Sequence, residues 1–268
     1  MMRLLCAVLV FVSGVAAAEA AERSRVPPQV AELLTLSGVE RQLAQLPESV
    51  ADGFNATAGR FSAETAERIR VILKDAYRRD AIYPVLTAAM TERYDARQAR
   101  TAVQALRTPL FRRLQALEDD LVGREGEARI RAFSEQLPDR PPGVERHVLV
   151  RRLDSAVGAT SAQIEMLTST VAAFGAVSAG GPSVRDVRAA MQEQIAVGVK
   201  NQVLLTMLCA YQTATDDELR EYLAFWESSA GRWFTTAVNA GLLRAMSRAA
   251  ETAARKIRAV AAPTSSRP

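Results

Sequence analysis

Helix-starting signals recur along the whole chain, whereas strand-pairing signals are nearly absent. Each start is a Ser, Thr or Asp before an apolar-periodic segment, or a Pro at the first helical position. No Asn-Gly or Asp-Gly dipeptide lies between two alternating segments, so no β-hairpin is predicted. The chain is therefore predicted to be all-α, a multi-helix bundle. The predicted starts are Pro27–Pro28, Ser62, Asp95, Thr108–Pro109, Pro141–Pro142, Ser183, Thr215 and Ser228–Ser229.

The predicted helix ends come from Gly, Pro and the loss of apolar periodicity. The helix that starts at Ser62 is predicted to run past Tyr77. The helix that starts at Thr108–Pro109 is predicted to end before Pro138. Gly180–Gly181–Pro182 is interpreted as a stop. The last helix is long and is predicted to end near Val260.

The N-terminus has the three-part order of a secretory signal peptide. One positive charge, Arg3, precedes an apolar run from Leu4 to Val12, and small residues follow around Ala18 and Ala20. This run is shorter than the roughly 20 residues that span a bilayer, which favours a cleaved signal over a membrane anchor. We therefore predict cleavage near Ala18 or Ala20, a periplasmic location, and no transmembrane segment in the mature protein.

Charge and cysteine content exclude some partners and cross-links. The formal net charge is +4, and removal of residues 1–20 takes away one Arg and one Glu and leaves it unchanged. Such a small excess does not indicate a nucleic-acid partner. After cleavage Cys209 is the one remaining cysteine, so no internal disulfide is predicted. Its apolar neighbours favour a small buried hydrophobe.

The sequence lacks the motifs of metal and cofactor chemistry. His147 is the only histidine, whereas histidine-based zinc sites need two or three. There is no Gly-x-Ser-x-Gly elbow, no Ser-x-x-Lys pair and no Gly-rich phosphate loop. We therefore expect no catalytic residue, no metal and no cofactor.

Two segments of the chain match each other at an offset of 120 residues, Asp95–Leu114 and Thr215–Phe234. Helix caps fall on helix caps, and apolar positions fall on apolar positions. The match indicates an internal duplication, and therefore two related helical halves. The predicted organisation is a signal peptide 1–20, a first half 27–137, a second half 141–260 and a disordered tail 261–268.

The segment Thr215–Phe234 contains a motif that consists of Glu-Leu, an aromatic pair, a serine and a glycine three residues after the serine. In the first half of the chain Ala105–Leu106 replaces the aromatic pair, and Phe111 takes the position of the glycine, so that half is interpreted as a degenerate copy. The motif residues are Glu218, Leu219, Phe225, Trp226, Ser228 and Gly231. This pattern is similar to the core motif of the domain of unknown function 2059 family, exported bacterial helical proteins with no established activity. The resemblance implies a fold and a compartment, and no chemistry.

The same motif has a local structural explanation. Glu218 completes a capping box with Thr215. Leu219 and Trp226 lie on one helix face, and Gly231 allows the next helix to approach its neighbour closely. We therefore predict that the motif serves packing and turn geometry, not binding.

One enzyme class remains as an alternative, the exported all-helical glycan lyases that act with a single glutamate. Glu227-Ser228 and Glu48-Ser49 have the Glu-Ser form found in such enzymes, and Trp226 and Trp233 would give Glu227 apolar surroundings. The Gly-Leu-Met-Gln sequence that follows the pair in those enzymes is absent after both. A peptidoglycan-acting enzyme is therefore the second hypothesis.

The C-terminal helix has one apolar face and one arginine face. The apolar face is rich in alanine, which favours packing against helices over burial in lipid. It consists of Leu242, Met246, Ala249, Ala253, Ile257 and Val260. The opposite stripe, which would face an anion, consists of Arg244, Arg248, Arg255 and Arg258.

These features favour a non-enzymatic periplasmic binding or interaction module over an enzyme. Docking of an envelope-associated protein through the basic C-terminal helix is a third hypothesis. The partner is unknown, and another envelope protein fits the predicted compartment.

Overall fold

The computed structural model describes residues 26–55, 58–175 and 184–261, and in those ranges all regular secondary structure is helical. The all-α prediction is confirmed. The predicted signal peptide, the Gly180–Pro182 stop and the capping residue Ser183 lie outside the described residues, as does nearly all of the predicted tail. The helices are α1 Pro28–Leu36, α2 Val39–Asn55, α3 Ala63–Ala76, α4 Arg79–Thr91, α5 Ala96–Leu106, α6 Pro109–Asp119, α7 Gly123–Gln136, α8 Val144–Val157, α9 Ala159–Gly175, α10 Val184–Ala210, α11 Asp216–Trp226 and α12 Ser229–Ala261, with a short 3₁₀ helix at Ala58–Arg60.

Helix starts follow the predicted caps. Ser62 accepts a hydrogen bond from the backbone N–H of Thr65, and Asp95 accepts from two N–H groups of α5. Thr108 caps α6, and Thr215 and Glu218 form a complete capping box at α11. These contacts form within one helical turn, which is why short sequence signals predict them.

Two helix ends differ from the predictions. The helix from Ser62 does not run past Tyr77, because α3 ends at Ala76 and α4 begins at Arg79; Tyr77 at the break is completely buried. The helix from Thr108–Pro109 ends at Asp119 instead of before Pro138. A new helix starts at Gly123, whose φ of 79° suits glycine. Neither break contains a proline, so tertiary packing decides both.

The predicted halves share one hydrophobic core. Its buried residues extend from Val30 in α1 to Ile257 in α12. The long helix α12 packs along α3, α4 and α5 of the first half and also against α9 and α11 of the second. The Pro138–Pro142 joint therefore does not separate two cores.

The local repeat has matching helix bounds. Ala96–Leu106 and Asp216–Trp226 are each 11 residues long at the offset of 120, and the next helices start at Pro109 and Ser229. Beyond this point the copies differ, because α6 has 11 residues and α12 has 33.

The two faces of α12 lie as predicted. Met246, Ala249, Ala253 and Ile257 are buried, whereas the four stripe arginines are exposed. The apolar face is covered by neighbouring helices, in agreement with its alanine-rich composition.

Candidate functional site

A cavity of about 580 Å³ opens where seven helices meet. Its wall is formed by the starts of α2 and α9, the ends of α6, α8 and α10, and one face each of α11 and α12. Pockets of this size hold small organic molecules in many proteins. Of the 24 lining residues, 15 are aliphatic or aromatic and nine are polar, among them Glu118, and Tyr211 and Tyr222 add hydroxyl groups.

Glu118 is the polar centre of the cavity. Its Oε1 accepts two hydrogen bonds, one from the Tyr211 hydroxyl at 2.5 Å and one from the Tyr222 hydroxyl at 3.0 Å. Tyr211 follows α10 directly and Tyr222 lies in the middle of α11, so three separate elements build the cluster. Within the described part of the chain no group hydrogen-bonds to the other oxygen, Oε2.

Arg146 of α8 fixes the tyrosine side of this cluster. Its guanidinium donates to the backbone oxygens of Tyr211 and Ala214, both at 2.7 Å, and forms an ion pair with Asp216 at 2.7 Å. The arginine side chain is only 19% exposed, and charge-assisted bonds of this kind are among the stronger ones in proteins. Arg146 therefore holds the segment that carries Tyr211 against α8.

The position of Glu118 is unfavourable for a negative charge. It lies in the last turn of α6, where the helix dipole disfavours a carboxylate. Burial raises the pKa of the Glu118 carboxyl, and the hydrogen bonds from Tyr211 and Tyr222 lower it, while neighbouring Asp119 raises it again. A perturbed carboxyl in a cleft is a mark of a functional site.

The two tyrosines remain protonated donors. Burial, and then the negative charge of Glu118, raise the pKa of Tyr211 well above its ordinary value. The same two causes raise the pKa of Tyr222. Both hydroxyls therefore donate hydrogen bonds to Oε1 of Glu118 at neutral pH.

Two further polar atoms lack a hydrogen-bond partner. Trp226 and Thr235 both line the cavity, and they are only 7% and 8% exposed. The Thr235 hydroxyl oxygen has no partner in the described chain, and the Trp226 indole N–H, which lies close enough to Tyr222 to lower its pKa, does not reach hydrogen-bond geometry. Both atoms have almost no accessible surface of their own, so they lie behind the cavity wall and do not face the cavity.

The motif between Glu218 and Gly231 forms the turn from α11 to α12 and contributes one residue, Trp226, to the lining of this cavity. Leu219 is buried, Ser228 caps α12 by accepting from the N–H of Gly231 at 3.2 Å, and Glu218 pairs with Arg113 of α6. The predicted structural roles are thus present. Trp226 adds a contact with the cavity, and a binding role for that residue goes beyond the packing interpretation.

An aromatic cluster joins the two copies of the repeat. Phe111, at the position that matches Gly231, lies 4.6 Å from Tyr222, 5.1 Å from Phe225 and 6.2 Å from Trp226, measured between ring centroids. The two rings at 5.1 Å meet edge to face, an arrangement that aromatic pairs prefer. Phe111, which aligns with Gly231 at the offset of 120 residues, therefore packs against the aromatic residues of α11.

The glutamates of the enzyme hypothesis lie at the surface in ion pairs. Both oxygens of Glu227 accept from Arg152, at 2.9 and 2.7 Å, and Glu48 pairs with Lys74 at 2.7 Å. A general acid needs apolar surroundings instead. Glu118, which the sequence pattern does not single out, lies in the more apolar surroundings of the cavity.

The arginine stripe of α12, His147 and Cys209 lie apart from the cavity, whereas Leu242 of the apolar face lines it. Arg244 pairs with Glu92 at 2.7 Å, and Arg255 donates to Thr252. His147 approaches the backbone oxygen of Gly143 at 3.3 Å. Cys209 is a buried free thiol, as predicted, and burial raises its pKa.

The described residues contain no group of three or more metal-ligating side chains. Over the same ranges, none of the helices combines the length and apolar character that a membrane span requires. Comparison with known proteins finds no matching protein family, no matching curated protein and no matching solved structure.

Sequence reasoning missed the cluster because its members are far apart in the chain. Tyr211 and Tyr222 are 93 and 104 residues from Glu118. Glu118 also stands in the acidic run Glu118-Asp119-Asp120, which is typical of a solvated helix end. A helical wheel of α11 that places Tyr222 beside Trp226 is the one signal that points to this wall.

Proposed function

We propose that this chain is an exported, non-enzymatic binding protein that holds a small organic ligand in the cavity around Glu118. The observation that carries the proposal is the carboxyl group itself. It is kept at an unfavourable helix end, in an aromatic cavity, with one oxygen bonded to two tyrosines and the other without a protein partner. Glu118 is partly buried, and a charge withdrawn from water costs stability unless it is well paired, so we interpret a carboxylate kept at this position as a sign of ligand binding.

Binding is favoured over catalysis by what the cavity offers. The tyrosines stay protonated and point their hydroxyls at Oε1, so neither acts as a base, and the described residues that line the cavity include no second carboxylate and no histidine to act with Glu118. If the protein is instead a glycan lyase, Glu118 is a better candidate for its general acid than Glu227. Release of muropeptides from purified cell wall, lost in Glu118→Gln, would favour the enzyme over the proposal.

The first prediction concerns export. The charged, apolar, small-residue order of residues 1–20 and the resemblance to an exported family both support a cleaved signal. We expect the protein from the native periplasm to begin at Glu19 or Ala21, as measured by its intact mass. Native material that retains Met1 or Met2 contradicts this expectation.

The second prediction tests the cavity. Trp226 lines it and is one of two tryptophans in the chain, so Trp233→Phe leaves a single reporter of occupancy. In that background 1-decanol, a neutral amphiphile, is expected to change the Trp226 emission with one-site saturation. Thr206 of α10 also lines the cavity, and Thr206→Phe puts a ring into it. We expect this variant to weaken decanol binding by about tenfold or more.

The matched control is Thr206→Val, which has nearly the volume of threonine and should retain binding. Circular dichroism checks that both variants are folded. Two results would contradict a ligand-binding role of the cavity. The first is unchanged decanol binding in Thr206→Phe, and the second is the absence of saturable binding by the parent protein. In the second case the exposed stripe of Arg244, Arg248, Arg255 and Arg258 becomes the better surface to test, with anionic vesicles at low salt.

A further inference from the structure

The charge of the cavity wall restricts its ligand. Among the described residues that form the wall, Glu118 is the only carboxylate, and none is an arginine or lysine. The other polar liners are neutral amides, hydroxyls and the indole. An anionic ligand would meet a single like charge and no countercharge in surroundings that screen charge poorly.

The hydrogen-bond directions restrict the ligand further. Both tyrosine hydroxyls donate to Oε1, so neither proton is directed at the ligand. Oε2 is an acceptor with no hydrogen bond from the protein's described residues. A ligand group that donates a hydrogen bond therefore satisfies this second carboxylate oxygen, whereas a group that only accepts hydrogen bonds finds no donor at this oxygen.

The aromatic rings around the carboxylate suit a positive charge. The Tyr222 ring lies 6.1 Å from Tyr211 and 5.7 Å from Trp226, centroid to centroid, and all three residues line the cavity. Tyrosine and tryptophan rings attract ammonium groups, most strongly where water is excluded. Leu153, Val157 and Val238 provide an apolar surface in the same cavity for the rest of the molecule.

We infer that the ligand is an organic amine with an apolar body, whose ammonium group donates to Oε2 of Glu118. This inference rests on the proposed function and names its ligand class.

The test compares three ligands with the same ten-carbon chain. Decylamine is cationic at neutral pH, 1-decanol is neutral and decanoate is anionic. Each is titrated into the Trp233→Phe protein, and Trp226 emission gives the dissociation constant. Because a hydrogen bond to a charged group is worth more than a neutral one, decylamine is expected to bind about tenfold or more tightly than decanol. Decanoate is expected to bind more weakly than decanol.

Two variants identify the group responsible. Glu118→Gln keeps an acceptor oxygen for both tyrosines, since both bonds end on Oε1, but removes the charge. We expect the ratio of the decanol to the decylamine dissociation constant to fall to about one. Glu251→Gln removes the same charge from an exposed position on α12, and should keep the ratio of the parent protein.

The outcomes separate the two proposals. Decanol that binds without any preference for decylamine overturns the amine inference alone, and so does a preference that persists in Glu118→Gln. Decanoate as the tightest ligand also overturns it. If none of the three binds, the proposed function fails, and the inference fails with it.

Discussion

Trp226→Ala is expected to lower the free energy of unfolding by about 3–5 kcal/mol. The side chain is 7% exposed and lies among four rings, at centroid distances of 5.0 Å from Phe225, 5.7 Å from Tyr222 and 6.2 Å from both Phe111 and Phe234. Its removal leaves a void beside the cavity that these rings cannot close without losing contacts with one another. Urea unfolding followed by circular dichroism measures the change.

Two variants control for this result. Trp226→Phe keeps a ring and removes an indole N–H that makes no hydrogen bond, so its loss should be much smaller. Trp233→Ala makes the same deletion at a half-buried position, where the indole donates to the Arg93 carbonyl, and should cost less than half as much. If Trp226→Ala unfolds at the same urea concentration as the parent protein, the aromatic cluster does not stabilise the fold.

Gly231→Val is expected to destabilise the protein by about 3 kcal/mol, at the upper end of what overpacking costs. A Cβ at this position lies 2.6 Å from the Trp226 Cα and 2.8 Å from the Trp226 carbonyl oxygen, and the Phe225 carbonyl oxygen is closer still. These are backbone atoms, which no side-chain rotation can move. The turn from α11 to α12 must therefore open, and the capping bond of Ser228 to Gly231 is disturbed with it.

Alanine variants at two glycines distinguish a steric clash from helix propensity, because the two effects change the free energy of unfolding in opposite directions. Glycine to alanine inside a helix normally stabilises by up to about 1 kcal/mol. Gly198→Ala in α10, where a Cβ meets nothing within 4 Å, is expected to follow that rule. Gly231→Ala is expected to destabilise instead, as measured by the same unfolding experiment. Stabilisation by Gly231→Ala would show that α12 does not approach the end of α11 this closely.

These two residues link the stability of the protein to its proposed site. Gly231 sets the approach of α12 to α11, and Trp226, at the end of α11, lines the cavity. A motif that has a sufficient structural explanation can thus also shape a binding site. The ligand experiments therefore use Glu118 and Thr206, and neither belongs to the aromatic cluster.

The sequence by itself determined the fold class, the helix starts that carry a capping residue, such as Ser62, Asp95, Thr108 and Thr215, and the two faces of α12. Caps such as Ser62 and Thr215 act within one turn, and the faces of a helix follow from its period of 3.6 residues, so both depend on neighbours in the chain. Cys209 was also placed correctly as a buried hydrophobe, because its apolar neighbours lie beside it in sequence.

Tertiary structure alone decided where α3 and α6 end and what Glu118 does. Tyr77 interrupts a helix-compatible sequence in order to be buried. The end of α6 places Glu118 at the cavity, where hydroxyls from 93 and 104 residues away meet its Oε1. The break at Tyr77 and the hydrogen bonds of Glu118 have no local signal, since burial and long-range hydrogen bonds depend on elements that meet only when the bundle is packed.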